Sequence, residues 1–386
     1  MRASPRKRTI LGLAVCAQGT LALLHQGIPV LGPELREHYG TSLAGTGALL
    51  GASSLGILVA TFAWGELADR RGERLVISLG LAGAVVALLA AATVPSYLLM
   101  GAALFAAGVF AAAGNAASGR VVLGWFAPEQ RGLATGIRLT ATPLGGAVAA
   151  LILPAAFALG GLDAPFLALA AISAVVCAAT ARWLRDPPAP AMSTNPGRHP
   201  IRDVRVWRIA SSCAPFVAVH IAMSAFHVIY LDAEVGLRAW WSATVFGATQ
   251  VAGAVARIAV GRWSDRHRRR IAPIHTLGMI TVVVVAVAAI ASVRTPALTA
   301  ALIAIAAILA MAATSVPQIA TAEIVGIERA GAAIGLQNTM FYAAVAASPP
   351  LFGWIVDQSS WTVALATFAA IAATGTLALT PLRKLI

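Results

Sequence analysis

The residues that decide the fold are Gly65-Glu66-Leu67-Ala68-Asp69-Arg70-Arg71-Gly72, a short charged stretch between two long apolar runs. A related stretch, Gly261-Arg262-Trp263-Ser264-Asp265-Arg266, lies in the second half of the chain, again between two long apolar runs. The two stretches share the spacing Gly-x-x-x-Asp-Arg. Because the same polar turn joins membrane-length segments in both halves, the pattern indicates a duplicated membrane protein.

The composition places the chain among membrane proteins. It is 59% hydrophobic and only 11% charged, whereas an ordinary soluble domain has about 25% charged residues. Apolar segments of about 20 residues, long enough to cross the hydrocarbon core, recur from one end to the other. Since the backbone in lipid must satisfy its own hydrogen bonds, such segments are helices. The alternation typical of a membrane barrel is absent, so we predict an all-α membrane protein.

Twelve membrane helices can be placed on the apolar segments. They span 9–31, 43–65, 75–95, 97–124, 132–154, 164–184, 208–231, 240–261, 271–292, 296–318, 331–355 and 361–381. No small-residue cleavage site follows the first, which we therefore expect to be a membrane helix and not a signal peptide. The Pro-rich stretch that begins at Asp186 predicts a cytoplasmic linker. We expect an N-terminal bundle at 1–184, the linker at 185–207 and a C-terminal bundle at 208–386, each bundle with six helices.

The net charge of +13 could suggest nucleic acid as a partner, but the distribution of the charge argues against it. If both termini are cytoplasmic, only Arg36, Arg238 and Arg294 fall on the outer side. The cytoplasmic side then holds Arg2, Arg6, Lys7, Arg8, Arg70, Arg71, Arg74, Arg182, Arg185, Arg198, Arg202, Arg205, Arg208, Arg262, Arg266, Arg268, Arg269, Arg270, Arg383 and Lys384. This is the positive-inside bias. It predicts a multi-pass protein of the cytoplasmic (inner) membrane with both termini in the cytoplasm, and no nucleic-acid partner.

The chain resembles the transporters of the major facilitator superfamily over essentially its whole length. That family has the cytoplasmic signature Gly-x-x-x-Asp-Arg-x-Gly, followed by basic residues, between helices 2 and 3. The first copy matches at Gly65, Asp69, Arg70, Gly72 and Arg74, with Glu73 where a basic residue is usual. The second copy keeps Gly261, Asp265 and Arg266 but has Arg268 in place of the second glycine. The resemblance implies the family's fold of two six-helix bundles.

The motif has a physical interpretation as a conformational latch. A carboxylate can accept hydrogen bonds from the free N–H groups at a helix start, where the dipole is positive. The resemblance implies that Asp69 and Asp265 make such contacts with the other half and latch the outward-open state. The latch candidates are Gly65, Asp69, Arg70, Gly72, Arg74, Gly261, Asp265 and Arg266. A solvated turn that sets only topology is the alternative that the sequence leaves open.

Helix 5 has a partial match to the glycine-rich signature of exchangers, at Pro143, Gly145 and Gly146. Proline interrupts the hydrogen-bond ladder of a helix and bends it. Glycine pairs let neighbouring helices approach closely. We therefore expect a bend and a close helix contact there.

The charged residues inside the predicted spans are basic. All fifteen Asp and Glu residues lie in predicted loops or at helix ends, whereas an exporter of organic cations needs a carboxylate inside the membrane. Arg138 lies about two turns inside helix 5, and its planar fork suits a carboxylate or a similar anion. A structural bond to helix carbonyls is the alternative for Arg138. Arg120 and Arg257 lie nearer the cytoplasmic ends, where their side chains can reach the surface.

Neutral polar residues complete the candidate site. In the family, helices 1, 4, 7 and 10 line the central cavity. The substrate-binding candidates are Gln18, His25, Gln26, Asn115, Arg138, His220, Ser224, His227, Gln250, Gln337, Asn338 and Tyr342. Each either binds the solute or ties helices together by hydrogen bonds. If transport is coupled to protons, histidine is the best remaining carrier, and His220 falls near the midplane.

These observations predict a secondary active transporter, a symporter or antiporter, that moves a small polar or anionic organic solute by rocker-switch alternating access. The solute is the expected partner, with protons as a candidate coupling ion, and we expect a monomer in the bilayer. Neither a cofactor nor a metal is expected, because Cys16, Cys177 and Cys213 make no disulfide or metal pattern. Without a nucleophile elbow or a phosphate-binding loop, we do not expect an enzyme. The alternatives left open are a multidrug efflux transporter and a transporter-like solute sensor without net flux.

Overall fold

The computed structural model describes residues 5–126, 128–186, 203–267, 270–314, 316–325 and 330–381. Every regular element in these residues is a helix. The helices are α1 (Pro5–Gly27), a 3-10 helix (Ile28–Leu31), α2 (Gly32–Tyr39), α3 (Leu43–Arg71), α4 (Glu73–Ala91), α5 (Tyr97–Trp125), α6 (Pro128–Gly160), α7 (Asp163–Trp183), α8 (Val204–Ala233), α9 (Ala239–His267), α10 (Ile271–Ala291), α11 (Pro296–Ala313), α12 (Pro317–Val325), α13 (Ala330–Gln358) and α14 (Trp361–Leu379).

Twelve spans long and apolar enough to cross a membrane are found in the described residues. The first combines most of α1 with the 3-10 helix and α2, and the tenth combines α11 with the start of α12. The other ten each come from a single helix. The prediction of an all-α membrane protein with twelve helices is confirmed.

The first span differs from its prediction in length, because it continues past residue 31 to Tyr39. Pro29 and Pro33 cannot donate backbone hydrogen bonds, and proline interrupts a regular α-helix. The chain responds with a single 3-10 segment, Ile28–Leu31, and α2 then starts at Gly32. Glu34 therefore lies in the first turn of α2 and not in the loop that the sequence predicted.

The chain divides into two compact units. One contains Met1–Tyr39 and Ala52–Met192, and the other contains Gly40–Gly51 and Ser193–Ile386. The uninterrupted helix α3 thus has its first turns in the second unit and the rest in the first. Most of the predicted linker lies in residues 187–202, outside the described residues, and the predicted bundle boundaries remain predictions.

Each unit is built around one central helix. In the first unit α1 packs on α5, α6 and α7, while α4 packs on α5 and α7. In the second unit α8 packs on α11, α13 and α14, and every residue of α8 from Ala222 to Leu231 is buried. Polar side chains on α1 and α8 are therefore held away from lipid, which is where a membrane protein places functional polar groups.

Candidate functional site

Four polar side chains of the first unit form a continuous hydrogen-bond relay. Arg138 on α6 donates from Nη1 to the Ser118 hydroxyl on α5 at 3.1 Å. Ser118 donates in turn to Oε1 of Gln18 on α1 at 2.8 Å. The Gln18 amide then donates to Oδ1 of Asn115 on α5 at 2.9 Å. We call Arg138, Ser118, Gln18 and Asn115 the polar relay, which joins three of the candidate residues through one serine.

The relay fixes the direction of the Arg138 guanidinium. Because the Ser118 hydroxyl hydrogen points to Gln18, a Ser118 lone pair is left to face Arg138. A hydroxyl presents a single donor hydrogen and two acceptor lone pairs, so these two bonds use the hydrogen and one lone pair of Ser118. Guanidinium carries five N–H donors in a rigid plane, and Ser118 takes one of them. The arrangement orients a positive group inside a span through a neutral partner.

His25 is anchored on a different pair of hydroxyls. Its Nδ1 lies 3.3 Å from Ser53 Oγ and 3.4 Å from Ser54 Oγ, both on α3. The ring is half-buried, whereas both serines and the neighbouring Gln26 are buried. A serine hydroxyl can donate to a ring nitrogen or accept from it, so the pair holds the ring in either tautomer.

In the second unit, the three candidate residues of α8 lie on one buried face. His220, Ser224 and His227 are separated by four and three residues, which places them on the same side of a helix. All three are buried, and His227 is only 1% exposed. The depth of these side chains removes them from lipid and from bulk water alike.

Two glutamines of the second unit are buried without a hydrogen-bond partner among the described residues. Gln250 on α9 is 1% exposed and Gln337 on α13 is 0% exposed. Neither the nitrogen nor the oxygen of either amide has a hydrogen-bond partner within the described residues. A buried polar group without a partner costs about 1–3 kcal/mol, so its retention calls for an explanation. The hydrogen-bonding capacity of both amides is thus not used by the described residues.

Other candidates on the same helices already have protein partners. Asn338 on α13 accepts a hydrogen bond from Gln318 on α12 at 3.0 Å. Arg257 on α9 donates from Nη2 to the Thr314 hydroxyl, which follows α11, at 3.2 Å. Tyr342 is half-buried, and the side chain of Arg120 lies outside the described residues. The structure therefore separates amides that tie helices together from those that do not.

The first copy of the motif forms a compact turn around Asp186. Gly72 adopts φ +88, and its backbone faces the Asp186 carboxylate. The Arg74 N–H donates to Asp186 Oδ1 at 2.8 Å, and the Arg74 guanidinium donates to the Ala181 carbonyl. Arg70 is exposed and pairs with Glu66. The turn thus joins the start of α4 to the end of α7 inside the first unit.

Of the first motif copy, Asp69 is described only in part and Gly65 in full. Asp69 lies in α3, but its side chain is outside the described residues, so the latch expected there remains a prediction. An added methyl at Gly65 would meet no atom within 4 Å in the described structure, and the same is true at Gly261. Helix packing in the structure thus does not require glycine at either position.

The second copy of the motif is organised by Arg270. Arg270 donates to Asp265 Oδ1 at 2.5 Å, to Ser264 Oγ at 3.1 Å and to both carboxylate oxygens of Glu323. Hydrogen bonding to Glu323 is the first cause that raises the Arg270 pKa above its ordinary value, and Asp265 adds to it while burial opposes it. Arg266 is exposed. The described contact of Asp265 is therefore an ion pair within its own unit.

The helix 5 candidates lie inside α6, which is uninterrupted from Pro128 to Gly160. Pro143 is within this helix, and Gly146 is buried. A methyl added at Gly145 would lie 2.8 Å from the Gly19 carbonyl oxygen on α1. The absence of a side chain at Gly145 lets α6 approach α1 closely, next to the polar relay.

Comparison with known proteins identifies the family. The sequence profile of the Major Facilitator Superfamily matches residues 11–323. Two Mycobacterium tuberculosis proteins, the uncharacterized MFS-type transporters MT3072 and Rv2994, are 32% identical to this chain over 361 residues, which cover 92% of the chain and 80% of each relative. The chain belongs to the Major Facilitator Superfamily.

Solved structures show that this transporter has the fold of the superfamily. A bacterial homolog of the human lysosomal transporter Spinster, in an inward-facing and occupied conformation, superposes with a TM-score of 0.80 at 16% identity, covering 98% of this chain and 96% of that one. The inward-facing and unoccupied form of a bacterial Spinster homolog gives 0.78 at 16% identity, covering 99% and 96%. At this identity the likeness is one of fold.

Several residues of the transporter's candidate site were not found from sequence. Ser118 lies one helical turn after Asn115, so the spacing of three could have placed both on one face. Ser53 and Ser54 gave no signal, because serine is common in the interiors of membrane helices. Gln318 and Glu323 lie near the predicted end of helix 10, where the sequence did not place a site. No group of three or more His, Cys, Asp or Glu side chains suited to a metal occurs in the described residues.

Proposed function

We propose that this transporter moves a small polar or anionic organic solute across the cytoplasmic membrane by alternating access, with both termini in the cytoplasm. Membership of the superfamily supports transport itself. The polar relay that orients Arg138 is the observation that carries the proposal on the solute. Its chemistry is that of a preset cationic hydrogen-bond donor inside a membrane span.

The relay favours an anion for an electrostatic reason. A guanidinium in a span is costly unless it faces a cavity or a partner. Ser118, which accepts one of its hydrogen bonds, is a neutral partner. A carboxylate can accept two parallel N–H bonds from a guanidinium, which makes Arg–carboxylate contacts both strong and directional. This match of geometry is why we propose a solute carboxylate as a ligand of Arg138.

The unpartnered amides support a solute with hydrogen-bonding groups. Gln250 and Gln337 each offer donors and an acceptor, and no described residue uses them. A solute that bonds to these amides would recover the free energy that their burial costs. Fully apolar compounds would leave the cost in place. We thus favour a polar solute over a lipophilic one.

The position of the carboxylates argues against organic cations. Among the described Asp and Glu side chains, none lies in the central turns of a span. The carboxylate closest to a span interior, Glu34, lies in the last helical segment of the first span. Binding of a lipophilic cation usually relies on an acidic group inside the membrane. Multidrug efflux is the second candidate, and a sensor without net flux is the third.

Coupling and the latch are further parts of the proposal. Protons are the candidate coupling ion, with His220 or His227 as the carrier, and exchange or uniport without protons is the alternative. Asp69 and Asp265 are proposed to hold the cytoplasmic side closed in the outward-open state. The Asp265–Arg270–Glu323 cluster would then have to rearrange if Asp265 joins such a latch. We propose that the protein works as a monomer, without a cofactor.

Uptake by proteoliposomes tests the proposal directly. The purified protein is reconstituted and offered labelled monocarboxylates, dicarboxylates, neutral amino acids and a lipophilic cation, with and without a pH gradient. We expect uptake of an anionic or polar solute that Arg138→Ala abolishes and Arg138→Lys restores in part, because lysine keeps the charge and loses the fork. Transport of the lipophilic cation that does not depend on Arg138 would overturn the solute class. Saturable binding without uptake would favour the sensor.

A further inference from the structure

We propose that Asp357 holds the first turns of α3 against the end of α13, and that breaking this contact is a step in opening the transporter to the outside. The inference rests on the proposed alternating access, and it concerns the face of the membrane opposite the termini. Nothing in the sequence motifs pointed to Asp357, which follows the long apolar run of the eleventh span.

The geometry is that of a carboxylate capping a helix from a distant part of the chain. Asp357 Oδ1 accepts from the Leu43 N–H at 3.0 Å, and Oδ2 accepts from the Ala44 N–H at 2.7 Å. Leu43 is the first residue of α3, and the first N–H groups of a helix have no partner within the helix. Negative charge is favourable there because the helix dipole is positive at its start. Both oxygens of Asp357 are thus used on one helix end.

Glycines bring the two helices into backbone contact next to the cap. An added methyl at Gly47 on α3 would lie 2.4 Å from the Pro349 carbonyl oxygen on α13. At Gly353 on α13 it would lie 2.2 Å from the Leu43 carbonyl oxygen. Small residues permit such close approach of membrane helices. The seam therefore combines backbone proximity at two glycines with the contacts of one carboxylate.

The same seam is suited to open and close. Asp357 is exposed, so water can bond to the two N–H groups and to the carboxylate when the contact breaks. Such a cap changes the ratio of the closed to the open state only a few-fold. This effect is small enough for the contact to break and re-form reversibly. Leu43 and Gly47 belong to the same compact unit as α13, and α3 continues from there without interruption to Arg71. Alternating access closes each face in turn, so a contact that closes the outer face is released during the cycle.

Cysteine labelling tests the inference without any solute. The native Cys16, Cys177 and Cys213 are replaced by serine, and one cysteine is introduced at Thr46 or at Leu50, which are both buried in α3. An impermeant maleimide added from the outside reports exposure of each position. The variants are Asp357→Ala and Asp357→Asn. Glu37→Gln, which removes an exposed carboxylate of α2, is the matched control.

We expect Asp357→Ala to raise the labelling rate at both positions about fivefold, the factor that roughly 1 kcal/mol of capping corresponds to. Asp357→Asn should raise it less, because an amide has one acceptor oxygen, and Glu37→Gln should leave it unchanged. Unchanged labelling in a folded Asp357→Ala protein would overturn the inference. Faster labelling at Thr46 alone would also overturn it, since that result indicates fraying of one turn. If the alanine variant does not fold, the asparagine variant decides by the same criterion.

The labelling experiment on Asp357 and the uptake experiment on the proposed function can fail independently of each other. Faster labelling in the Asp357 variants, together with no uptake of any offered anion or polar solute, would keep the outer contact and remove the solute class. Uptake that depends on Arg138, together with unchanged labelling, would keep the solute class and remove the role of Asp357.

Discussion

Arg270 binds Glu323 through two of its nitrogen atoms. Nε lies 3.0 Å from both carboxylate oxygens, and Nη2 lies 2.7 Å from Oε1. The remaining nitrogen, Nη1, contacts Ser264 and Asp265 at the end of α9. One guanidinium therefore links the end of α9 to α12, next to the second copy of the motif.

The first prediction concerns the stability of this link. Arg270→Ala should lower the thermal stability of the detergent-solubilised protein by roughly 1 kcal/mol, a small value because Glu323 is 45% and Asp265 68% exposed. The stability of Arg270→Lys should lie between that of Arg270→Ala and that of the unmodified protein, since lysine keeps the charge but not the planar fork of the guanidinium. Arg266→Ala, at an exposed neighbour, is the control and should change little. Equal melting temperatures for the two alanine variants would contradict the prediction.

The link should not depend on pH near neutrality. Hydrogen bonding to Glu323 raises the pKa of Arg270 above its ordinary value. A group whose pKa is raised on folding contributes its full stabilisation below the unfolded pKa and loses it only as the pH rises through the folded pKa. The difference in melting temperature between the Arg270→Ala variant and the unmodified protein should therefore be constant across the neutral range.

The second prediction concerns the polar relay. Ser118→Ala removes an acceptor for Arg138 and a donor for Gln18, so the guanidinium loses the hydrogen bond that links it to the relay. A hydrogen bond to a charged group is worth about 1.5–3 kcal/mol, and we expect the apparent Km for an anionic solute to rise at least about tenfold. Ser211→Ala is the control, because the described bonds of the Ser211 hydroxyl are to carbonyls of its own helix. An unchanged Km in Ser118→Ala would show that the relay does not position Arg138 for the solute.

The sequence was sufficient for the fold because each helix carries its own signal. Length and hydropathy predicted twelve spans, and the two motif copies placed the polar turns. The sequence did not predict the end of the first span correctly. Pro29 is compatible both with a helix end and with the 3-10 segment that the structure has there. Periodicity also predicted which candidate residues share a face, as it did for His220, Ser224 and His227.

The partners of the site residues could not be predicted from sequence. Ser118 and Gln18 are 100 residues apart, and their contact depends on how α1 and α5 pack. Asn338 and Gln337 are adjacent in sequence, but Asn338 bonds to Gln318 while both amide atoms of Gln337 have no partner in the described residues. Which amide binds a neighbour is decided by rotamers and helix rotation, and a single sequence contains neither.

The third prediction uses this contrast between amides. Gln250→Leu and Gln337→Leu should keep or raise thermal stability, because each removes a buried polar group without a described partner. Transport of a polar solute should nevertheless weaken. Gln318→Leu should instead lower stability by about 1–3 kcal/mol, since it deprives Asn338 of its partner. Melting temperature and uptake measured on the same preparations separate the two effects. Full transport in both the Gln250 and the Gln337 variants would remove these residues from the solute site.

The fourth prediction concerns coupling through α8. If His220 or His227 carries the proton, replacing both with glutamine should flatten the pH dependence of uptake and leave downhill exchange intact. His38 lies in α2 and is exposed, so His38→Gln is the control and should keep the pH profile. Accumulation of solute against its gradient by the double variant, under an imposed proton-motive force, would exclude these histidines as the coupling groups.

The fifth prediction concerns the two glycines of the first motif copy, which the structure assigns to different roles. Gly72 adopts φ +88, where a side chain strains the backbone by about 1–2 kcal/mol. A methyl there would also lie 2.8 Å from the Asp186 carboxylate, which accepts the Arg74 N–H. Gly72→Ala should therefore lower thermal stability. Gly65→Ala should instead leave stability unchanged or raise it by about 0.5–1 kcal/mol, because alanine favours a helix and a methyl meets no described atom within 4 Å.

The same pair of variants distinguishes a local role of Gly65 from a role in the transport cycle. If Gly65→Ala is stable and transports normally, the first motif glycine is dispensable for this transporter. If it is stable and transport is slow, α3 must make a close contact at Gly65 in another state of the cycle, where the added methyl obstructs it. A loss of stability in Gly65→Ala equal to that in Gly72→Ala would contradict the prediction, because the described structure leaves open space at Gly65.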